Sequence, residues 1–156
     1  MHRHILIPTD GSALSQAAVE YGIALAKSVD AKVTVLTVST PFHILAVEPG
    51  MVTDTAEQHA KQAAAHAKKY LDTAKEVALA AGVVCETVHL EHDHPYLAII
   101  ETAARKSCDL IVMASHGRRG ISAAVLGSET SKVLTHSSIP VLVVRPPSRP
   151  FFSVES

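Results

Sequence analysis

The chain has no concentrated charge of one sign, almost no cysteine and no long apolar run at its start. Lys and Arg number 14 against 15 Asp and Glu, for a formal net charge of -1, and the basic residues never cluster beyond pairs such as Lys68-Lys69 and Arg118-Arg119. A polyanion or a membrane surface is held by a concentrated positive field, so no nucleic acid and no membrane are expected as partners. The apolar run at the start, Ile5-Leu6-Ile7, is too short for a signal-peptide core or a membrane span. The expected location is cytoplasmic. Two cysteines, Cys85 and Cys108, lie in or beside apolar stretches, where a free thiol packs as a small hydrophobe in a reducing compartment. Two phosphate motifs are missing as well: neither Gly-x-x-x-x-Gly-Lys-Ser/Thr nor Gly-x-Gly-x-x-Gly occurs, which disfavours a standard NTPase or dehydrogenase.

What is present suits one α/β domain. The 156 residues, 47% hydrophobic, suffice for a single core. Five short apolar, β-branched runs read as buried strands: Ile5 to Ile7, Val33 to Val38, Val83 to Leu90, Leu110 to Met113 and Val141 to Val144. Helical patterns separate them. The first runs from Ser12, placed as a cap, to Val29, with Ala17, Tyr21, Ala24, Leu25 and Val29 at helical spacing. The second, from Asp54 to Ala81, repeats alanine and leucine in steps of three or four and ends at Gly82, a C-terminal cap. Pro95 opens a third with Leu97, Ile100 and Ala104, and Ser128 to His136 forms a fourth before Pro140. Strands alternating with helices imply a single doubly wound open sheet of five mainly parallel strands, order 3-2-1-4-5, with helices on both faces. Residues 1–145 form this domain and 146–156 a proline-rich tail.

Ligands of such sheets sit beyond the carboxyl ends of the strands. Three loops fall there: Pro8-Thr9-Asp10-Gly11-Ser12, the segment from Ser39 to Thr53, long enough to be a candidate lid, and Ala114 to Gly127. In the last, Ala114-Ser115-His116-Gly117 precedes Gly127-Ser128 by nine residues, at the start of a helix whose free N–H groups and dipole favour phosphate.

These residues resemble the universal stress protein family over nearly the whole chain to Arg145. Ile5-Leu6-Ile7-Pro8-Thr9-Asp10-Gly11-Ser12 is similar to the family's first strand and acidic loop. Its ATP-binding members carry Gly, two residues, Gly, nine residues, then Gly and Ser or Thr; Gly117, Gly127 and Ser128 match, and Ala114 replaces the first glycine. Ile139 to Val144 resembles the family's last strand. The resemblance implies a stress-response sensor or switch that binds ATP, with or without magnesium, with little or no catalysis. It implies that Pro8, Thr9 and Asp10 lie near adenine and ribose and that Val38 and Met113 line the base pocket. Ala114 and Gly117 would let the loop pass the ribose and phosphates, and Gly127, Ser128 and Glu129 would offer N–H groups to phosphate. It also implies a homodimer through the last strand and a further protein partner. Ala114 fits only an ordinary backbone conformation, and Glu129 fits only with its carboxylate turned from the phosphates.

Blander readings stand beside these. Gly117, Gly127 and Ser128 also make a plain loop and helix start, Asp10 a plain turn residue, and Arg118 and Arg119 a solvated pair. His89, His92 and His94, with Glu91 and Asp93, carry imidazole and carboxylate groups that can ligate zinc or nickel, but strand alternation turns His89 and His92 to opposite faces; no metal is assigned. His116 lies in the loop within reach of phosphate, and His59 and His66 are expected to be solvated on a helix. The competing functions are a non-nucleotide interaction module of the same fold and a slow ATP hydrolase.

Overall fold

A computed structural model describes residues 1–41, 55–117 and 125–147. Its elements run β1 (His4–Pro8), α1 (Ala13–Val29), β2 (Lys32–Ser39), α2 (Ala56–Ala81), β3 (Cys85–Glu91), α3 (Pro95–Arg105), β4 (Leu110–Ala114), α4 (Ser128–His136) and β5 (Val141–Val144). The five strands form one parallel sheet in the order β3-β2-β1-β4-β5, the arrangement read from the sequence.

The sheet divides two apolar layers. Ile5, Ile7, Val33, Val35, Leu110 and Val112 point to one face, against Val19, Ile23 and Ala26 of α1 and Leu71, Ala74 and Ala78 of α2. Leu6, Leu36, Ile111 and Met113 point to the other, against Ile99 and Ala103 of α3 and Val133 of α4. This is the period-two alternation of a strand covered on both sides.

Helix ends follow the expected chemistry. The Ser12 hydroxyl accepts from Ser15 N–H and starts α1; Thr55 and Gln58 close a reciprocal capping box at α2, and Gly82 ends it in the left-handed region. Two helix faces differ from expectation. In α1 the buried residues are Ser15, Ala18, Val19, Gly22, Ile23 and Ala26, whereas Tyr21 is 50% exposed. In α3 they are Ala98, Ile99, Thr102 and Ala103, one position from the expected Leu97 and Ile100. The expected lid lies outside the described residues except for Ser39 to Pro41, as do Arg118, Arg119 and the tail beyond Pro147.

Among the described residues, both sheet edges are strands with one neighbour. On β5 all four residues remain partly exposed, and among the described residues β5 pairs with β4 alone. None of the described helices is long and apolar enough to cross a membrane.

Candidate functional site

The β1–α1 loop is held by a dense set of short-range bonds. Thr9 N–H donates to Leu36 C=O (2.8 Å), the Thr37 hydroxyl donates to Thr9 C=O (3.1 Å), the Thr9 and Ser15 hydroxyls lie 3.0 Å apart, and Gly11 N–H donates to Thr9 Oγ1 (3.2 Å). Thr9 is therefore buried and its hydroxyl is spent inside the loop. Asp10 Oδ1 accepts from Ser12 N–H (3.0 Å), a turn that fixes the carboxylate at the carboxyl edge of the sheet. Gly11 has φ +78°, and a Cβ there would overlap the Tyr70 ring of α2.

The β4–α4 loop meets the β1–α1 loop across the sheet edge. The space a Cβ would occupy at Gly117 is taken by Asp10 Oδ2, so two residues 107 apart in the sequence touch at the β1/β4 boundary, where the strand order reverses. At the base of the loop, Ser115 N–H donates to Val144 C=O (2.9 Å) and Gly127 N–H donates to Ser115 C=O (2.7 Å). A Cβ on Gly127 would press on His116 Cα at 3.1 Å. Thr130 Oγ1 donates to Ala114 C=O (2.8 Å), which aims the start of α4 at the end of β4. Gly127 is the N-cap residue, so the cap position itself supplies no side-chain hydrogen bond. The opening N–H groups at Ser128 and Glu129 point out of the start of the helix, where an anion is favoured.

Both conditions on the departures from the family pattern are met. Ala114 is a β4 residue paired with Val144, 7% exposed, and the non-glycine positive φ values among the described residues belong to Asp30 and Ser107. Its backbone is ordinary, so its methyl costs nothing in conformation. Glu129 turns its carboxylate to α3: Oε2 accepts from Tyr96 N–H (2.8 Å) and Oε1 lies 3.7 Å from Lys132 Nζ.

Met113 is buried, and Val38 packs on the same layer with partial exposure. Pro8 ends β1 beside Leu36. One expectation about histidine changes. His59 is not merely solvated: its Nε2 lies 3.0 Å from Thr40 C=O, tying α2 to the end of β2. His66 is exposed, as expected, and stacks on Tyr70 with centroids 6.2 Å apart, which helps set the ring that backs Gly11. The i, i+4 spacing of His66 and Tyr70 was the available sequence signal. The histidines near β3 diverge: His89 Nε2 lies 2.7 Å from Ser39 Oγ, while His92 Nδ1 accepts from His94 N–H (2.9 Å). No group of three His, Cys, Asp or Glu side chains among the described residues is placed to hold a metal.

Comparison with known proteins completes the description. The model of the universal stress protein family matches residues 1–145. Universal stress protein MJ0531 of Methanocaldococcus jannaschii is 33% identical over 153 residues, covering 96% of this chain and 85% of its own length. The solved structure of hypothetical protein MJ0577 superposes with a TM-score of 0.80 at 26% identity, over 96% of this chain and 99% of that one. A universal stress protein in complex with cAMP superposes with a TM-score of 0.69 at 25% identity, over 94% and 98%.

Proposed function

Because the chain belongs to the universal stress protein family, we propose that it binds an adenine nucleotide, ATP first among them, as a stress-response sensor or switch rather than as a catalyst. The observation that carries this reading is the meeting of Asp10 with Gly117 beside the glycine-led start of α4. A carboxylate accepts hydrogen bonds and donates none, which suits ribose hydroxyls. A glycine surface and free helix N–H groups suit phosphate. The donor set fits the nucleotide. In this reading Pro8, Thr9 and Asp10 form the ribose side, with Thr9 holding the shape of the loop because its N–H, C=O and hydroxyl are all engaged. Val38 and Met113 flank the base, and Ala114, Gly117, Gly127, Ser128 and Glu129 pass the phosphates, Glu129 by its N–H alone. Magnesium, when bound with ATP, supplies charge neutralisation at the phosphates.

A bound nucleotide biases conformation only through differential affinity for two states. Ser115 joins the cradle to β5 through Gly127 and Val144, and β5 is the edge we assign to a homodimer. Residues 146–156 are the tail of this domain in the same reading.

The deciding experiment is mass spectrometry of small molecules released on denaturing protein purified without added nucleotide. ATP calorimetry follows on the stripped protein and on Asp10→Ala and Gly117→Leu, with circular dichroism confirming that each variant is folded. Recovered ATP, and binding weakened at least about tenfold, near 1.4 kcal/mol, is expected in both variants. An empty protein that ignores millimolar ATP would move the assignment to an interaction module of the same fold.

A further inference from the structure

At the opposite edge of the sheet, where the strands begin, lies a cleft of about 400 Å³. It is built where α1 and α2 end. Ala26, Ala31 and Val83 close its floor as buried residues, Ala81 and Val84 present aliphatic surface, and Arg3, Lys27 and Lys32 surround it with Asp30. The backbone there is already satisfied. Ala31 N–H donates to Ala26 C=O (2.8 Å), Val83 N–H to Ala78 C=O (2.9 Å), Lys32 N–H to Arg3 C=O (3.0 Å) and Val33 N–H to Val84 C=O (2.9 Å). Recognition therefore falls to the side chains.

Two features distinguish this cleft from an ordinary surface dent. Its rim holds three cations against one carboxylate, although the whole chain is slightly acidic, and none of the three makes a side-chain ion pair among the described residues. Lys27, in the last turn of α1, complements that helix's negative end; Arg3 and Lys32 lie outside any helix and have no such role. The second feature is apolar exposure at the same place. Val84, 73% exposed, lines the cleft. An exposed aliphatic side chain set among unpaired cations offers an apolar contact ringed by positive charge.

We propose that this cleft docks an acidic segment of a partner protein, seating one aliphatic side chain against Val84 and Ala81 while flanking carboxylates meet Arg3, Lys27 and Lys32. The charge fixes the sign of the partner, and the volume, of side-chain scale, admits a short segment rather than a packed helix. The surface lies at the far end of the strands from the nucleotide site, so it stands whether or not ATP binds.

The test uses the full chain and fluorescence anisotropy of a labelled peptide Asp-Asp-Leu-Asp-Asp, with Asp-Asp-Ser-Asp-Asp and Lys-Lys-Leu-Lys-Lys as controls. Saturable binding of the leucine peptide is expected, falling with added salt. The doubly substituted Lys27→Glu, Lys32→Glu protein should bind at least about tenfold more weakly, and Val84→Ser should weaken the leucine peptide but not the serine one. All three positions are exposed, and amide spectra confirm the fold. Amide shifts on titration should centre on residues 26–32 and 81–85. Equal affinity for the serine peptide would reduce the cleft to a nonspecific anion patch. Unchanged binding by the double variant, no saturable binding, or shifts confined to the Asp10 and Gly117 edge would each overturn the proposal.

Discussion

Glu129 offers the sharpest quantitative test, because its position beside the cradle suggests one role and its contacts another. α3 opens with Pro95 behind His94, whose side chain makes no cap hydrogen bond. The first N–H that needs a partner is that of Tyr96, and Glu129 Oε2 accepts it at 2.8 Å from a different helix. The carboxylate is thus a cap supplied in trans, 38% exposed, with Lys132 Nζ 3.7 Å from its other oxygen. Losing a helix cap costs about 0.5–2 kcal/mol. Water reaches this one in part, so Glu129→Ala should lose about 1–1.5 kcal/mol on that scale. At about 2–4 °C per kcal/mol for a chain of this size, the melting midpoint should fall by roughly 2–6 °C. Glu129→Gln keeps an acceptor and loses only the favourable charge at the helix start, about 0.3–1 kcal/mol. Urea unfolding of the three proteins without nucleotide measures both differences. Calorimetry then asks about ATP: with the carboxylate turned to Tyr96, Glu129→Gln should bind within about threefold of the parent. An alanine variant as stable as the parent, or a glutamine variant that binds ATP tenfold tighter, would refute the assignment, the second by showing that the carboxylate faces the phosphates.

Three further outcomes follow from the same geometry. Gly11→Ala should lose at least about 1–2 kcal/mol in urea unfolding, because φ +78° disfavours a side chain and the new Cβ meets Tyr70; adding Tyr70→Ala should relieve the overlap but not the backbone cost. Ala114→Gly, which restores the family's first glycine, should lose roughly 0.5–1 kcal/mol to strand entropy and leave ATP affinity unchanged, since Ala114 has no positive φ to relieve. His4 is 6% exposed, with Nδ1 donating to Lys106 C=O and Nε2 accepting from the Thr34 hydroxyl; burial, then nearby Lys32, lowers its pKa below the ordinary 6.5. The unfolded chain therefore takes up the proton first, so stability is full above pH 6.5 and falls as pH drops through the lowered value. His4→Gln should flatten that slope in urea midpoints measured against pH, and identical slopes in the two proteins would remove His4 as its source.

Strand order and strand positions were legible because each strand is a short β-branched run covered on both faces, and crossover handedness leaves few ways to arrange five of them. The contact between the Asp10 and Gly117 loops followed from that order alone. What the sequence could not reveal was which atoms each residue spends locally. Thr9 looked like a ligand group, yet its hydroxyl closes the loop with Ser15 and Gly11. Glu129 looked like a repulsive neighbour of phosphate, yet it serves a helix 33 residues upstream. Bonds of this kind depend on tertiary placement of one helix start beside another, which no local spacing encodes.

The misplaced face of α1 has a more specific cause. The helix sequence is apolar over much of its circumference, and two sets of residues satisfy the same spacing: Ala17, Tyr21, Ala24 and Leu25, or Ala18, Gly22, Ile23 and Ala26. Choosing by side-chain bulk favours the set with Tyr21 and Leu25. The sheet requires the opposite, because α1 crosses it so closely that a Cβ at Gly22 would overlap Ile7 Cδ1. The stripe Ala18, Gly22, Ala26, all buried, is what permits that approach, with Val19 and Ile23 packing on either side. Large residues mark the face of a helix that stands off its partner, whereas a row of small ones at intervals of four marks a helix pressed against it. That close approach also places Ser12 and the β1–α1 loop tight against the end of β1, so the geometry that hid the helix face is the one that holds Asp10 at the edge of the sheet.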